Sequence, residues 1–361
     1  MKHFLANAPT KVKARVLALY LLSGLLLTAC SPAAKPPYPG KTWTKAKSPE
    51  ALGWSSAKLK VARAYAESIG SAAVMIVVNG EILDEWGDTT QKINVRSMMK
   101  PFMNALYGIA VQNGKVNIQS TLAELKLDDK APALTQTEKQ ARIIDLLQAR
   151  SGVYHLSGAD TPEMREAMPE RGSHPPGTFW FYHNWDFCAL GGIYEQTTQS
   201  SLFGDFDRLL AKPLGMEDFT LADTGTNLGS RESIYPWYAF TMSARDLARF
   251  GLLYLRQGQW QGTQIIPQQW IAESIKPYSD ASSWDRGGYG MLWWVTLNHR
   301  LFPGVEISGN AFAATGRAGD YLVVIPDLDM VVVHRTNPPL SVVDDEQFGA
   351  LLKLILDAKL N

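Results

Sequence analysis

Arg96-Ser97-Met98-Met99-Lys100-Pro101-Phe102 (RSMMKPF) opens a long apolar run, Met103 to Val111, and its reading decides the fold. Residues three apart on a helix share a face, so the Ser97 hydroxyl and the Lys100 amine come within hydrogen-bond reach. A serine needs a base to lose its proton, and a lysine in a desolvated, cation-rich setting can be that base. A helix start adds free backbone N–H groups and the positive end of the dipole, both suited to an oxyanion. The plain alternative is a helix-capping serine with a solvated lysine one turn on. Ser-x-x-Lys alone does not choose between them. Pro101 cannot donate to the carbonyl of Ser97 and biases Lys100 away from the helical region, so the helix is expected to begin or bend near Ser97.

Two downstream stretches shift the balance. FWFYHNWDF, 179–187, puts Tyr182 and Asn184 two apart, after the turn-forming His174-Pro175-Pro176-Gly177 and before a helix. A phenol relays protons, an amide orients a carbonyl, and a loop before a helix presents both to a cleft. Packing aromatic and helix cap is the plain reading of the same pair. NAFAATGRAGDYLVVIP, 310–326, sets small residues directly before an apolar hairpin. Alanine and glycine at a strand edge let a substrate approach the backbone, where an N–H can serve as a second oxyanion donor.

Around these motifs, strands lie at the ends and helices in the middle. Leu59 to Ile69 has a helical pattern, and AAVMIVVNGEILDEWG is two apolar runs joined by Asn79-Gly80, a strong hairpin signal. YLVVIPDLDMVVVH repeats that shape about Pro326-Asp327, and Phe348 to Lys359 is amphipathic. Helices are expected over 101–112, 136–149, 185–197 and 244–257, the last after a Ser243-x-x-Asp246 capping box. The expected class is α+β: an antiparallel sheet flanked by terminal helices, from 50–95 and 290–361, with a helical lobe inserted over 96–289. No internal repeat is visible.

The N-terminus reads as an address. Lys2, Lys11, Lys13 and Arg15 precede the apolar run 16–29, which is of signal-peptide length and shorter than the roughly 20 residues of a bilayer span. Leu27-Thr28-Ala29-Cys30 resembles a bacterial lipobox. Residues 1–29 are therefore expected to be a lipoprotein signal peptide, with Cys30 lipidated and the protein anchored to a membrane through its acyl chains. A cleaved soluble export signal and an uncleaved anchor are the alternatives. Ser31 after the cysteine suggests the outer membrane, facing the periplasm, by the sorting rule known for such proteins. Pro-rich 30–49 reads as a flexible tether and 50–361 as the folded domain. Cys188 is then left without a disulfide partner, and its apolar surroundings suit a buried structural thiol.

Composition sets the remaining bounds. The 361 residues are 46% hydrophobic, with 35 basic and 35 acidic side chains. That balance gives no footprint for nucleic acid. The six histidines are scattered with no metal-binding spacing, so no metal or cofactor is expected. The partner is a small-molecule or peptide substrate. Trp293-Trp294 suits either strand packing or a cleft lining, while His155, His183 and Asp186 read as structural.

Ser97-x-x-Lys100, Tyr182-His183-Asn184 and the small-residue element, in this order and spacing, resemble the serine β-lactamase and penicillin-binding-protein superfamily. The likeness is to its branch of class C β-lactamases, DD-peptidases and esterases, including the 6-aminohexanoate-dimer hydrolase type. Further stretches carry it: Asn113-Gly114-Lys115-Val116, Ser151-Gly152-Val153-Tyr154, Pro213-Leu214-Gly215-Met216 and Met242 to Arg249. It runs from about residue 50 to 357. The resemblance implies a β-lactamase/transpeptidase-like fold with Ser97 as the acylated nucleophile. Lys100 would be its base or proton partner, and Tyr182 the acid and base serving the leaving group. Asn184 would bind the substrate amide, and the oxyanion hole would be the N–H groups of Ser97 and Arg317. Ala314-Thr315-Gly316 stands where the β-lactamases have Lys-Thr-Gly, so Ala314 and Gly316 would border the substrate and the usual lysine contact is missing. The implied activity is an exported esterase or amidase. A DD-peptidase, a weak β-lactamase and a non-catalytic cleft-binding lipoprotein are the alternatives.

Overall fold

The computed structural model describes residues 38–227 and 232–360. The expected signal peptide, Cys30 and the start of the expected tether lie outside the described residues. Strands β1 (Ala73–Val78) and β2 (Glu81–Gly87) are joined by Asn79 and Gly80 alone, at φ of 52° and 76°. These left-handed conformations give the turn a twist that matches the strands. The sheet is completed by β3 (Ser279–Asp280), β4 (Gly288–Tyr289), β5 (Trp294–Val295), β6 (Phe312–Gly316), β7 (Asp320–Ile325) and β8 (Met330–Arg335). Their order is β2-β1-β8-β7-β6-β5-β4-β3, with every pairing antiparallel.

Every residue of β1, β6, β7 and β8 is buried, which is why these strands read as continuous apolar runs rather than alternations. Both faces of the sheet are covered. Tyr321 and His334, paired across β7 and β8, take the ring of Phe348 at centroid distances of 3.8 and 5.5 Å. Phe348 belongs to α5 (Asp345–Leu356), which packs beside α1 (Ser56–Ser68). The opposite face, carrying Leu322 and Val331, receives α4 (Ala244–Leu255) at Gly251, where a Cβ would lie 2.7 Å from Val331 and 2.8 Å from Leu322. Each such fully buried Leu or Val contributes ~1.5–3 kcal/mol. Two further helices, α2 (Lys100–Gln112) and α3 (Asn184–Thr198), pack together in the helical lobe. The α+β class and the terminal-helix arrangement are as expected.

Several boundaries are corrected. From Tyr38 onward the tether reading fails: Ile82 N–H donates to Thr44 O and Ala46 N–H to Ile82 O, each at 2.9 Å, and Trp43 Nε1 donates to Arg245 O at 3.1 Å. Proline in this segment sets a direction, and backbone bonds hold it. The sheet begins at Ser279 rather than 290, because β4 pairs with β5 and β3 with β4, and α4, expected in the helical lobe, covers the sheet. The helix expected over 136–149 shrinks to Ile143–Leu147. Leu122 N–H donates to Ala141 O and Ile143 N–H to Ser120 O, so residues 141–143 are spent on extended pairing. The C-terminal helix is set three residues earlier than expected, at Asp345–Leu356, because Asp344 caps it by accepting from Gln347 N–H. Ser243 caps α4 by accepting from Asp246 N–H at 3.2 Å, but Asp246 does not complete a box. Its carboxylate accepts from the N–H groups of Glu217, Asp218 and Phe219.

Candidate active site

The Ser97 motif lies where a short strand, Ile93–Asn94, turns sharply into α2. Asn94 Oδ1 accepts from Arg96 N–H at 2.8 Å, and Arg96 adopts φ 50°. A non-glycine residue in that region stores about 1–3 kcal/mol of strain. A 3₁₀ turn, Arg96–Met99, follows and carries Ser97. Pro101 falls within the first two positions of α2, where no N–H is needed. Lys100 is helical, at φ −59° and ψ −45°, so the expected bias away from that region is overridden by the tight turn.

Lys100 Nζ donates to Ser97 Oγ at 2.7 Å. The lysine is buried, and its ammonium lies 4.8 Å from the ring centre of Tyr182 and 4.5 Å from that of Phe187. An aromatic face attracts a cation placed over it through the ring quadrupole. Tyr182 is stacked on Trp294, with centroids 5.4 Å apart and an interplanar angle of 22°, and its edge meets Tyr289 at 6.0 Å. Trp293, one residue away, faces the core against Phe250, Tyr254 and Phe312. The Trp293-Trp294 pair therefore does both jobs: Trp293, just before β5, packs into the core, and Trp294 lines the cleft.

Asn184 starts α3, and its Nδ2 donates to Ala159 O at 2.9 Å and approaches Met164 Sδ at 3.4 Å. This commits the amide NH₂ to Ala159 and to Met164 of the short helix Pro162–Glu166, and leaves the carbonyl oxygen to accept from a ligand. On the far side, Thr315, Gly316 and Arg317 line the cleft. A Cβ on Gly316 would lie 2.7 Å from Val95 O and 3.1 Å from Asp320 Cβ. Only glycine lets the end of β6 lie against the Ser97 turn. Arg317 is exposed at the rim. Ala314 departs from expectation. It pairs with Leu322, is 1% exposed and is absent from the cleft lining, because alternation puts Thr315 on the other face.

The cleft has a volume of about 1420 Å³ and brings together Ser97, Lys100, Tyr182, Asn184, Gly316 and Arg317. A hydroxyl held by an amine, that amine over the ring of a tyrosine, and backbone approaching from a strand end can together support nucleophilic acyl transfer. Among the described residues no group of His, Cys, Asp and Glu side chains could hold a metal ion.

Residues that sequence reasoning assigned to structure stay there. His183 Nδ1 bonds Val153 O at 2.9 Å, and burial lowers the ring's pKa to about 4. Asp186 accepts from Ser151 Oγ at 2.5 Å, with its pKa raised by burial. The Cys188 thiol is pushed up to about 11 by burial. His155 bonds Leu156 O and Lys130 O.

Other residues at the cleft were missed. Asp160 lines it, with Oδ2 accepting from Ser157 N–H at 2.7 Å and Oδ1 buried without a partner; burial raises its pKa. Behind the Ser97 turn, Asp320 joins Arg96 and the fully buried Arg335, whose Nε donates to Asp320 Oδ1 at 2.9 Å. The signal was available: in the hairpin DYLVVIPDLDMVVVHR a charge stands at the outer end of each apolar strand, away from the turn.

The sequence matches the Beta-lactamase family over residues 59–353. Among solved structures, a proposed 6-aminohexanoate-dimer hydrolase from Bacillus anthracis superposes with a TM-score of 0.59 at 20% identity, covering 81% of this chain and 79% of its own. An octameric penicillin-binding protein homologue from Pyrococcus abyssi gives 0.62 at 16% identity, covering 84% and 77%. A family VIII carboxylesterase gives 0.61 at 15% identity, covering 87% and 98%. At such identities these likenesses speak for the fold.

Proposed function

The chain belongs to the Beta-lactamase family, and from that premise we propose that it is a serine hydrolase cleaving an ester or amide through an acyl-enzyme on Ser97. The observation that carries this reading is the 2.7 Å contact between Lys100 Nζ and Ser97 Oγ inside the cleft.

In this reading Ser97 Oγ attacks the substrate carbonyl while its proton passes to the Lys100–Tyr182 pair. The oxyanion is held by the N–H groups of Ser97 and Arg317. The C–O or C–N bond breaks as Tyr182 returns the proton to the leaving group, and Asn184 aligns the acyl side. Water then attacks the ester with the same pair taking its proton, which releases the acid and restores Ser97.

The choice of substrate follows from the resemblance: the position where the β-lactamases carry a lysine is here Ala314, which adds nothing to the cleft lining. An alanine supplies no charge-assisted contact to a substrate carboxylate, a contact worth about 1.5–3 kcal/mol. Esters and simple amides are therefore favoured over β-lactams and D-Ala-D-Ala peptides. Export, with lipidation at Cys30 and an outer-membrane position, completes the proposal. Cys30→Ala should move the protein from the membrane to the soluble fraction of the cells that make it, and unchanged membrane association would remove the anchor.

The test is a fluorophosphonate probe read by intact mass. Wild type should gain one adduct and Ser97→Ala none. Absence of an adduct on wild type, or an equal one on Ser97→Ala, would sink the nucleophile. Short-chain p-nitrophenyl esters should turn over faster than nitrocefin, and the reverse order would favour a β-lactamase or peptidase.

A further inference from the structure

We propose that Asp320 is a positioning residue that fixes the spacing of the two oxyanion donors, the N–H groups of Ser97 and Arg317. The inference rests on the reading of Ser97 as nucleophile given above. Asp320 is fully buried and belongs to both sides of the gap. Its backbone opens β7, directly after the Arg317–Gly319 turn. Its side chain crosses to the other side, where Oδ2 holds Arg96 Nη1, on the residue before Ser97.

A second layer keeps this carboxylate in place. Oδ1 accepts from Arg335 Nε at 2.9 Å and from Thr336 N–H at 3.1 Å. Arg335 in turn donates to Met242 O at 2.8 Å, Ile93 O at 3.0 Å and Asn94 O at 3.2 Å. Ile93–Asn94 is the strand that delivers Arg96 and Ser97. The Arg317 turn is gripped from behind as well: Ala318 O accepts from Thr336 Oγ1 at 2.9 Å and Val343 N–H at 3.0 Å, and Gly319 O meets His334 Nδ1 at 2.7 Å. One buried cluster therefore holds both donor-bearing turns.

Stability alone does not account for it. Buried ion networks often add nothing over apolar residues of like volume, and geometric specification is a role such networks can serve. A left-handed Arg96 also needs an external hold, and Asp320 supplies it. Oxyanion donors act only within about 2.7–3.1 Å of the developing charge, so slack between the turns reaches the rate of acylation directly.

Arg96→Gly tests this, because glycine accepts the left-handed backbone while removing the link to Asp320. Its kcat on a p-nitrophenyl ester should fall about tenfold to a hundredfold, with KM held within about twofold. Fluorophosphonate labelling of Ser97 should slow by the same factor, the thermal midpoint should hold, and Arg96→Lys should recover part of the rate. Asp320→Asn should lose the same rate but also folding stability, because it leaves buried Arg335 without its carboxylate; Arg96→Gly therefore decides. Labelling and kcat within about threefold of wild type would overturn the inference, as would a rise in KM at constant kcat, or a rate loss that only tracks unfolding. Wild type that takes no label sinks the nucleophile reading along with this one; a labelled wild type with an equally fast Arg96→Gly sinks this one alone.

Discussion

The two sides of the Lys100 ammonium are built from opposite materials. On the Ser97 side, position is set by directional bonds among Arg96, Asp320, Arg335 and backbone carbonyls. On the Tyr182 side it is set by ring area: Tyr182 lies against Trp294, Phe187, Trp284 and Tyr289 at centroid distances of 4.9 to 6.0 Å. Stacked rings contribute stability in proportion to buried surface but tolerate sliding. An intact buried ion network adds little stability over apolar packing of like volume, but it tolerates almost no displacement. The difference teaches that injury to the aromatic side should appear first as lost folding energy, and injury to the charged side as lost rate.

The largest effect expected is on the aromatic side. Trp294→Ala should cost about 3–5 kcal/mol, read from the urea midpoint, with activity falling because Tyr182 loses its stacked partner. A loss below about 1 kcal/mol would mean that ring packing does not anchor that side.

Acid sharpens the comparison next, because each side carries one buried histidine with its pKa lowered to about 4 by burial: His183 beside Tyr182, and His334 behind the Arg317 turn. Both are neutral when folded and bind a proton more readily when unfolded, near 6.5. Stability is therefore complete above pH 6.5 and is lost as pH falls toward 4, by roughly 1 kcal/mol per pH unit for each ring. Asp186, raised by burial, acts with the opposite sign, but it is common to wild type and to His183→Asn. The variant should therefore show a shallower slope between pH 6.5 and 4 in urea titrations, and an unchanged slope would remove His183 from this account.

The smallest effect on folding is expected on the charged side. Gly316→Ala places a Cβ 2.7 Å from Val95 O, and overpacking of this kind costs about 1–3 kcal/mol. Its kcat should nevertheless fall at least as far as that of Trp294→Ala, since it parts β6 from the Ser97 turn. Stopped assays on both variants at equal folded fraction decide the matter.

The aromatic side was more legible in the sequence than the charged one. Tyr182 and Asn184 stand two apart after a turn, and Asn79-Gly80 fixed a hairpin, because these are local signals acting over a few residues. Asp320 and Arg335 meet across a strand pairing, and Arg96 joins them from more than two hundred residues away, a juxtaposition that only the sheet order creates. Ala314 was misplaced for a related reason: its motif position was readable, but strand alternation decides which neighbour faces the cleft. The 136–149 helix failed because tertiary pairing of 141–143 outweighed local propensity.

The short segment 44–46 has a consequence for solubility. It lies along β2, the outermost strand, and its bonds to both polar groups of Ile82 cap an edge that would otherwise be open. An open edge is a template for strand addition from another molecule. A chain trimmed to begin at Lys47 should keep its cleft and yet self-associate with rising concentration, so these residues act as a guard against aggregation at the β2 edge of the sheet.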